Sequence, residues 1–387
     1  MALPVDVLFE YPALNGGERS WLALLAGLRD AGFQPRAIVP AFVGAPHALA
    51  AELLHRDVSI RQLAYCEASG VRRPLASLRA DLATLLQDDP PALLHANSLA
   101  TSRLSGPVCR ELGIPSLGHL RDIIKLSAQA VADTSAHTRL LAVSRATRDH
   151  HVSQGFSAEK IHLCYNGVEL ARFRPLGDRP NRLRPMYGAD ARLLISVGQI
   201  SLRKGLDTIA AACQQQFVID DSLHWLVVGE RHSDKPETVE FDQRLRDAAA
   251  RPPLAGRVHF LGRRDDIEQL LPQCDLLVHA ARQEPLGRVL LEAAACGLAV
   301  AATDVGGARE IFCRDSATSP AARLVPPNDA ATLAEAIAAV FANSERTQAL
   351  TCEARAICRD RFDVAQATEA IVRHYHAAIG SSSRADV

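Results

Sequence analysis

The chain has 387 residues, 48% apolar and 22% charged, a soluble globular composition with length enough for two domains rather than one core. Lys and Arg number 43 against 44 Asp and Glu, and residues 1–177 hold 18 of the bases and 16 of the acids. So even a balance excludes a general electrostatic pull towards nucleic acid or an anionic bilayer.

Short apolar or β-branched runs alternate with helical stretches from end to end, the pattern of α/β parallel sheets covered by helices on both faces. In the first series the expected strands are Val5–Glu10, Arg36–Val39, Leu93–Ala96, Pro115–Leu120, Leu140–Val143 and Ile161–Tyr165, with amphipathic helices near 18–31, 75–87 and 144–153. The stretch Arg174–Pro185 holds three Pro and one Gly, can continue neither a helix nor a central strand, and reads as an interdomain linker. A second series follows at Leu193–Gly198, Trp225–Gly229, Val258–Gly262, Asp275–His279 and Ala299–Thr303. Three of these runs end in Gly, where a ligand can approach the carboxyl end of a strand. From Ala330 to about Ile379 the chain is Ala-rich and helical, with Asp363 the expected N-cap of the last helix.

Nine Cys form no C-x-x-C pair and, being odd in number, cannot all pair within the chain, which points to a reducing compartment. The longest apolar runs fall far short of the ~20 residues of a membrane span, and the N-terminus lacks a basic region followed by a long apolar one. A cytoplasmic protein is expected, with peripheral contact at the inner face of the membrane left open by Arg72, Arg73, Arg145 and Arg148.

The strongest local signal is Gln283-Glu284-Pro285-Leu286-Gly287-Arg288 running on to Glu292 and Gly297. Pro285 reads as a first helical residue, so that the N–H groups of Leu286, Gly287 and Arg288 would form an anion site at a helix N-terminus, with Gly287 leaving room for a phosphate. Glu292 falls one turn after Arg288 and can accept two hydrogen bonds from a ribose diol, while Glu284 can reach another hydroxylated part of the same ligand. Two carboxylates flanking a phosphate site suggest a sugar nucleotide. In the plainer alternative the two Glu are solvated charges and Arg288 with Glu292 is an i,i+4 ion pair.

Gly198-Gln199-Ile200-Ser201-Leu202-Arg203-Lys204-Gly205 places two adjacent cations after a strand end, where they could stabilise a diphosphate. Only four of the 43 bases are Lys, which makes Lys204 stand out. The spacing fits neither G-x-G-x-x-G nor G-x-x-x-x-G-K-[ST], arguing against a dinucleotide fold and a P-loop, and the chain contains no D-x-D to bridge a metal to a diphosphate. Earlier, Asn15-Gly16-Gly17 opens a helix as a loop that can offer backbone N–H groups to a phosphate, and His119 ends a buried strand where it can hydrogen-bond a sugar hydroxyl or shuttle a proton.

This pattern resembles the GT-B glycosyltransferases, specifically the large retaining family 4. The motifs that carry the resemblance follow in the family's order: Asn15-Gly16-Gly17, Ala142–Thr147, Tyr165–Glu169 with Arg172–Pro175, Arg203-Lys204-Gly205, Val227–Glu230, the Glu284 and Glu292 pair, and Val305–Glu310. The resemblance implies two Rossmann-like, doubly wound parallel-sheet domains facing each other across a cleft. They are an acceptor-side domain over 1–177 and a donor-binding domain over 178–362, followed at 363–387 by a helix crossing back to the first domain. It further implies transfer with retention, without cofactor or metal, from a nucleotide-sugar donor. Glu292 would hold the ribose, Glu284 the donor sugar, Lys204 the diphosphate, Gly16 and Gly17 the phosphates, and His119 the sugar near its 6-hydroxyl. His119, Lys204 and Glu284 are thus the expected catalytic residues. Gln199, Arg203, Glu230, Arg263, Leu286, Gly287 and Arg288 complete the donor-binding set. Gln199 departs from the family, which often has Arg directly after the strand glycine, and Arg203 or Arg288 can compensate.

The favoured expectation is a hexosyltransferase using a UDP-sugar, acting on a glycan, a lipid-linked acceptor or a small-molecule glycoside. A GDP-mannose mannosyltransferase, a sugar-nucleotide-binding subunit without catalysis, and a sugar-nucleotide epimerase of the same fold are the alternatives.

Overall fold

The computed structural model describes residues 2–315 and 317–382. The chain divides into two compact units, Met1–Gly167 with Val364–Val387, and Val168–Asp363. The Pro-rich stretch expected to link the domains lies inside the second unit, where Arg184 bridges to Asp275 at 2.6 Å and the chain makes a short 3₁₀ turn over Arg184–Met186.

In the first unit, seven parallel strands run β1 (Leu3–Leu8), β2 (Phe33–Pro40), β3 (Ser59–Leu63), β4 (Leu93–Ala96), β5 (Ser116–Leu120), β6 (Arg139–Ala142) and β7 (Ile161–Leu163). Their order across the sheet is β3-β2-β1-β4-β5-β6-β7. Alternation along each strand splits the core between the faces. Val5, Val7, Leu117 and Leu141 pack with Trp21 and with Ile371 and Tyr375 of the last helix, Val364–Ser382, on one side. Leu8, Ile38 and Leu94 pack with Leu78, Leu82 and Leu86 of helix Leu75–Asp88 on the other. The expected helix near 18–31 is two helices, Gly16–Leu22 and Leu25–Asp30, because the chain tightens where Leu24 N–H bonds Trp21 O.

The second unit has six parallel strands, β8 (Arg192–Val197), β9 (Leu223–Val228), β10 (Val258–Gly262), β11 (Leu276–His279), β12 (Ala299–Thr303) and β13 (Arg323–Val325), in the order β10-β9-β8-β11-β12-β13. Leu194, Trp225, Leu276 and Val278 are buried against Ile209 and Cys213 on one helix and Leu333 and Ile337 on another. From β8 the chain winds to one side and from β11 to the other, so the crevice beyond β8 and β11 is the switch point where open α/β sheets bind ligands. The first unit has the same arrangement beyond β1 and β4. Among the described residues no helix is long and apolar enough to cross a membrane.

Candidate active site

At the switch point of the second unit, β8 runs into Gly198 and Gln199, then a 3₁₀ turn over Leu202–Lys204, then Gly205 and helix Leu206–Phe217. Gly205 sits at φ +64°, and a Cβ there would lie 1.9 Å from the Ala280 carbonyl oxygen, so only glycine lets this turn close on the segment after β11. Polar bonds staple the two segments further. Arg282 N–H donates to Arg203 O at 2.8 Å, and the Arg282 guanidinium donates to the Leu202 carbonyl and pairs with Asp207 at 2.7 Å. The Arg203 side chain, on the exposed turn, reaches back to Gln283 O at 3.1 Å.

The stapling brings Lys204 Nζ to 2.5 Å from Glu284 Oε2, and His279 Nε2 meets the same oxygen at 2.9 Å. Glu284 is 7% exposed. Burial pushes its carboxyl up, and Lys204 and His279 overcome that push, holding it below the usual carboxylate range. Burial also keeps His279 neutral by lowering its pKa, so its Nε2 serves Glu284 as a donor. Glu284 Oε1 has no hydrogen-bond partner among the described residues. An anchored, ionised carboxylate with one oxygen left over is suited to accept hydroxyl groups. Gly198, Gln199, Lys204 and His279 share a small cavity beside it.

Sequence reasoning had no role for His279. Its signal was available as the polar residue closing the otherwise apolar strand Leu276-Leu277-Val278, five residues before Glu284.

The expected helix start at Pro285 is corrected by the structure. The helix runs over Arg288–Ala295, with Gly287 before it at φ +100°, a left-handed turn that a helix cannot contain. Leu286 and Gly287 therefore belong to the approach loop, whose Glu284 carbonyl accepts from Gly307 N–H at 3.1 Å. Arg288 and Glu292 do form the i,i+4 ion pair, Nε to Oε1 at 2.6 Å, but Glu292 is 7% exposed and is no solvated helix charge. On the other side of β8, Arg263 N–H donates to Glu230 Oε1 at 3.2 Å and Ile200 N–H to Glu230 O at 3.0 Å, which sets this exposed pair beside the Gln199 segment.

The remaining expected residues lie in the first unit. Gly16 and Gly17 open helix Gly16–Leu22 after β1, capped by Asn15, whose N–H bonds Glu18 Oε2 at 3.1 Å. A Cβ on Gly17 would lie 3.4 Å from Arg121 Cδ. Arg121 donates to Asn97 O at 2.8 Å, to Asn97 Oδ1 at 3.0 Å and to Asn166 Oδ1 at 2.7 Å. His119, on β5, is 2% exposed, and burial first, then Arg121, hold its pKa well below the ordinary histidine range. Burial and Arg121 thus favour the neutral ring, which can hydrogen-bond through either nitrogen.

Two family models match the chain, "Glycosyltransferase Family 4" over residues 14–172 and "Glycosyl transferases group 1" over residues 186–357. Among curated relatives, D-inositol 3-phosphate glycosyltransferase 1 of Catenulispora acidiphila is 27% identical over 287 residues, 67% of this chain and 66% of its own length. A GDP-mannose-dependent alpha-mannosyltransferase of Mycobacterium tuberculosis is 25% identical over 320 residues, 78% of each chain. The GPI3 subunit of the Saccharomyces cerevisiae phosphatidylinositol N-acetylglucosaminyltransferase is 25% identical over 177 residues, 45% of this chain, and the match spans only 37% of that subunit's length. Anabaena HepE, solved with UDP and glucose, superposes with a TM-score of 0.82 at 24% identity over 96% of this chain and 98% of its own. Sucrose-phosphate synthase of Thermosynechococcus elongatus gives 0.77 at 20% identity over 98% and 100%. These two likenesses concern the fold. With both halves matched in order and two Rossmann-like sheets of this topology, the chain belongs to glycosyltransferase family 4, the group 1 glycosyl transferases, and has their GT-B fold.

Proposed function

We propose that the protein is a retaining hexosyltransferase that moves a hexosyl group from a UDP-sugar to a hydroxyl of a glycan, a lipid-linked acceptor or a small glycoside. One observation carries the reading: a buried, ionised Glu284 anchored by Lys204 and His279 at the switch point of the second unit, with Glu292 on the next helix. In this reading Glu284 Oε1 accepts sugar hydroxyls, Glu292 the ribose diol, and Lys204 turns from Glu284 to the diphosphate, with Arg203 and the backbone of Leu286, Gly287 and Arg288 in support. Gln199 takes the place of the usual cation, and Glu230 and Arg263 flank the base. On the first unit Gly16, Gly17 and His119 keep the roles the family resemblance gives them. The acceptor hydroxyl attacks from the leaving group's side, its proton passes to the departing phosphate oxygen, and the sugar–phosphate bond breaks as the new glycosidic bond forms.

GDP-mannose is the second donor to consider, because a GDP-mannose-dependent enzyme aligns over 78% of the chain. Thermal shift against UDP-, GDP-, ADP- and dTDP-sugars tests the reading, since a specific donor at one hundred times Kd stabilises by about 2.7 kcal/mol. UDP-sugars are expected to raise Tm most; a panel in which no nucleotide sugar moves Tm would remove the donor assignment.

Replacement of Glu292 by Ala is expected to weaken donor binding by about 1.5–3 kcal/mol for each charge-assisted ribose bond lost. Calorimetry with UDP checks this, and an unchanged affinity in a folded variant would return Glu292 to a role in packing alone. Transfer is also expected to continue in excess EDTA, because Lys204 and the amides leading into helix Arg288–Ala295 can carry the leaving charge. Activity lost in EDTA and restored only by Mg²⁺ or Mn²⁺ would overturn that account.

A further inference from the structure

In the first unit three side chains form a buried line. The Tyr375 hydroxyl, on the last helix, is 2.8 Å from His95 Nδ1, and His95 Nε2 is 3.2 Å from His119 Nδ1, the two imidazoles stacked with centroids 5.4 Å apart. At the far end His119 Nε2 is buried without a hydrogen-bond partner. A neutral imidazole donates from one nitrogen and accepts at the other, so two in series allow two polarities.

With the line running inward, His119 would donate from Nδ1, His95 from Nδ1 to the Tyr375 oxygen, and the Tyr375 O–H would need an acceptor of its own. Besides His95, the polar groups around it are the indole N–H of Trp21 and the Arg121 guanidinium, donors only, and the Cys164 thiol, at best a weak acceptor. With the line running outward, Tyr375 O–H donates to His95 Nδ1, His95 Nε2–H donates to His119 Nδ1, and His119 carries its hydrogen on Nε2. Every link is then satisfied except the last. A second proton on either ring would break the line, and burial, assisted by Arg121, opposes it, with His95 lowered to about 3.

We propose that Tyr375 is a positioning residue which, acting through His95, fixes His119 as a neutral ring offering Nε2–H to an oxygen of the ligand. The proposal rests on the reading of His119 as a donor-sugar contact and deepens it. A second observation agrees: Asn97 lies one position beyond the Ala96–Gly118 register pair, beside His119, and its Nδ2 is likewise buried without an acceptor while its Oδ1 is taken by Arg121. Two neighbouring buried donors lacking acceptors suit a ligand group that brings acceptor oxygens, as a sugar hydroxyl does.

Nitrogen-15 NMR of the full chain labelled at histidine reads each ring's tautomer directly. The expected wild-type His119 is protonated at Nε2, and in Tyr375→Phe its signals shift towards the Nδ1–H form. A wild-type ring protonated at Nδ1, or signals unmoved in Tyr375→Phe, would overturn the proposal. In kinetics, Tyr375→Phe is expected to lower kcat/KM roughly tenfold, as for one hydrogen bond lost, with UDP affinity unchanged and with little added when His119→Ala is combined with it. Equal losses in UDP affinity and turnover would mark Tyr375 as structural only. If the tautomers behave as stated while His119→Ala leaves turnover intact, the line's polarity stands and the sugar-contact reading of His119 fails instead.

Discussion

Lys204→Ala is expected to lower kcat/KM by about 10²–10³, equivalent to ~2.7–4 kcal/mol, with most of the loss in kcat. As the sugar–phosphate bond breaks, charge grows on the departing oxygen, so a cation on it contributes more to the transition state than to the bound donor. With Gln199 where the family often has Arg, the remaining cations carry a larger share, which favours the upper end. The structure adds a second route to the loss, because Lys204 is also the cation that holds Glu284 ionised. Arg203→Ala is the comparison. Its guanidinium sits on an exposed turn and bonds a backbone carbonyl, and its loss should change the rate only a few-fold. Lys204→Ala with near wild-type kcat and only a raised KM would show that the lysine binds ground and transition states alike.

Gly205→Ala should be among the most damaging single methyl groups in the second unit's site. Its Cβ would fall 1.9 Å from Ala280 O, and the residue would be held at φ +64°. Overpacking costs about 1–3 kcal/mol and a left-handed non-glycine residue about 1–2, giving roughly 2–5 kcal/mol together. For a unit of this size that is a Tm loss of roughly 5–15 °C. Scanning calorimetry measures it, and a variant melting with the wild type would show that the turn can open without cost. Because Gly205 adjoins Lys204, donor affinity should fall in the same variant.

The strands that sequence patterning located best were those buried on both faces, where apolar runs are continuous. Leu93–Ala96 and Ala299–Thr303 stand where expected. β3 and β13 went unread because they are edge strands of five and three residues with mixed polarity, Ser59-Ile60-Arg61-Gln62-Leu63 and Arg323-Leu324-Val325. In the site, spacing alone placed Glu292 on the same face as Arg288. It could not place His279 on Glu284, since that contact depends on how the loop after β11 folds back, and the loop is shaped by Gly287 and the Arg282 staple rather than by a period. Nor could it show that His119 is enclosed, because its buried neighbour His95 is itself covered by Tyr375, more than 250 residues away in the chain.

The last helix also orders events during synthesis. Trp21, Leu28 and Phe33 share a core with Ile371, Tyr375 and Ala378, and the Phe33 and Tyr375 rings meet edge to face at 5.2 Å. The second unit is one continuous segment, whereas the first is split between the two ends of the chain. The segment that leaves the ribosome first is therefore the one that finishes folding last. Until residue 364 onward has emerged, one face of its sheet lacks the part of its apolar cover that Ile371, Tyr375 and Ala378 supply, and a nascent or truncated chain ending before that point presents this gap to chaperones, proteases and other unfinished copies.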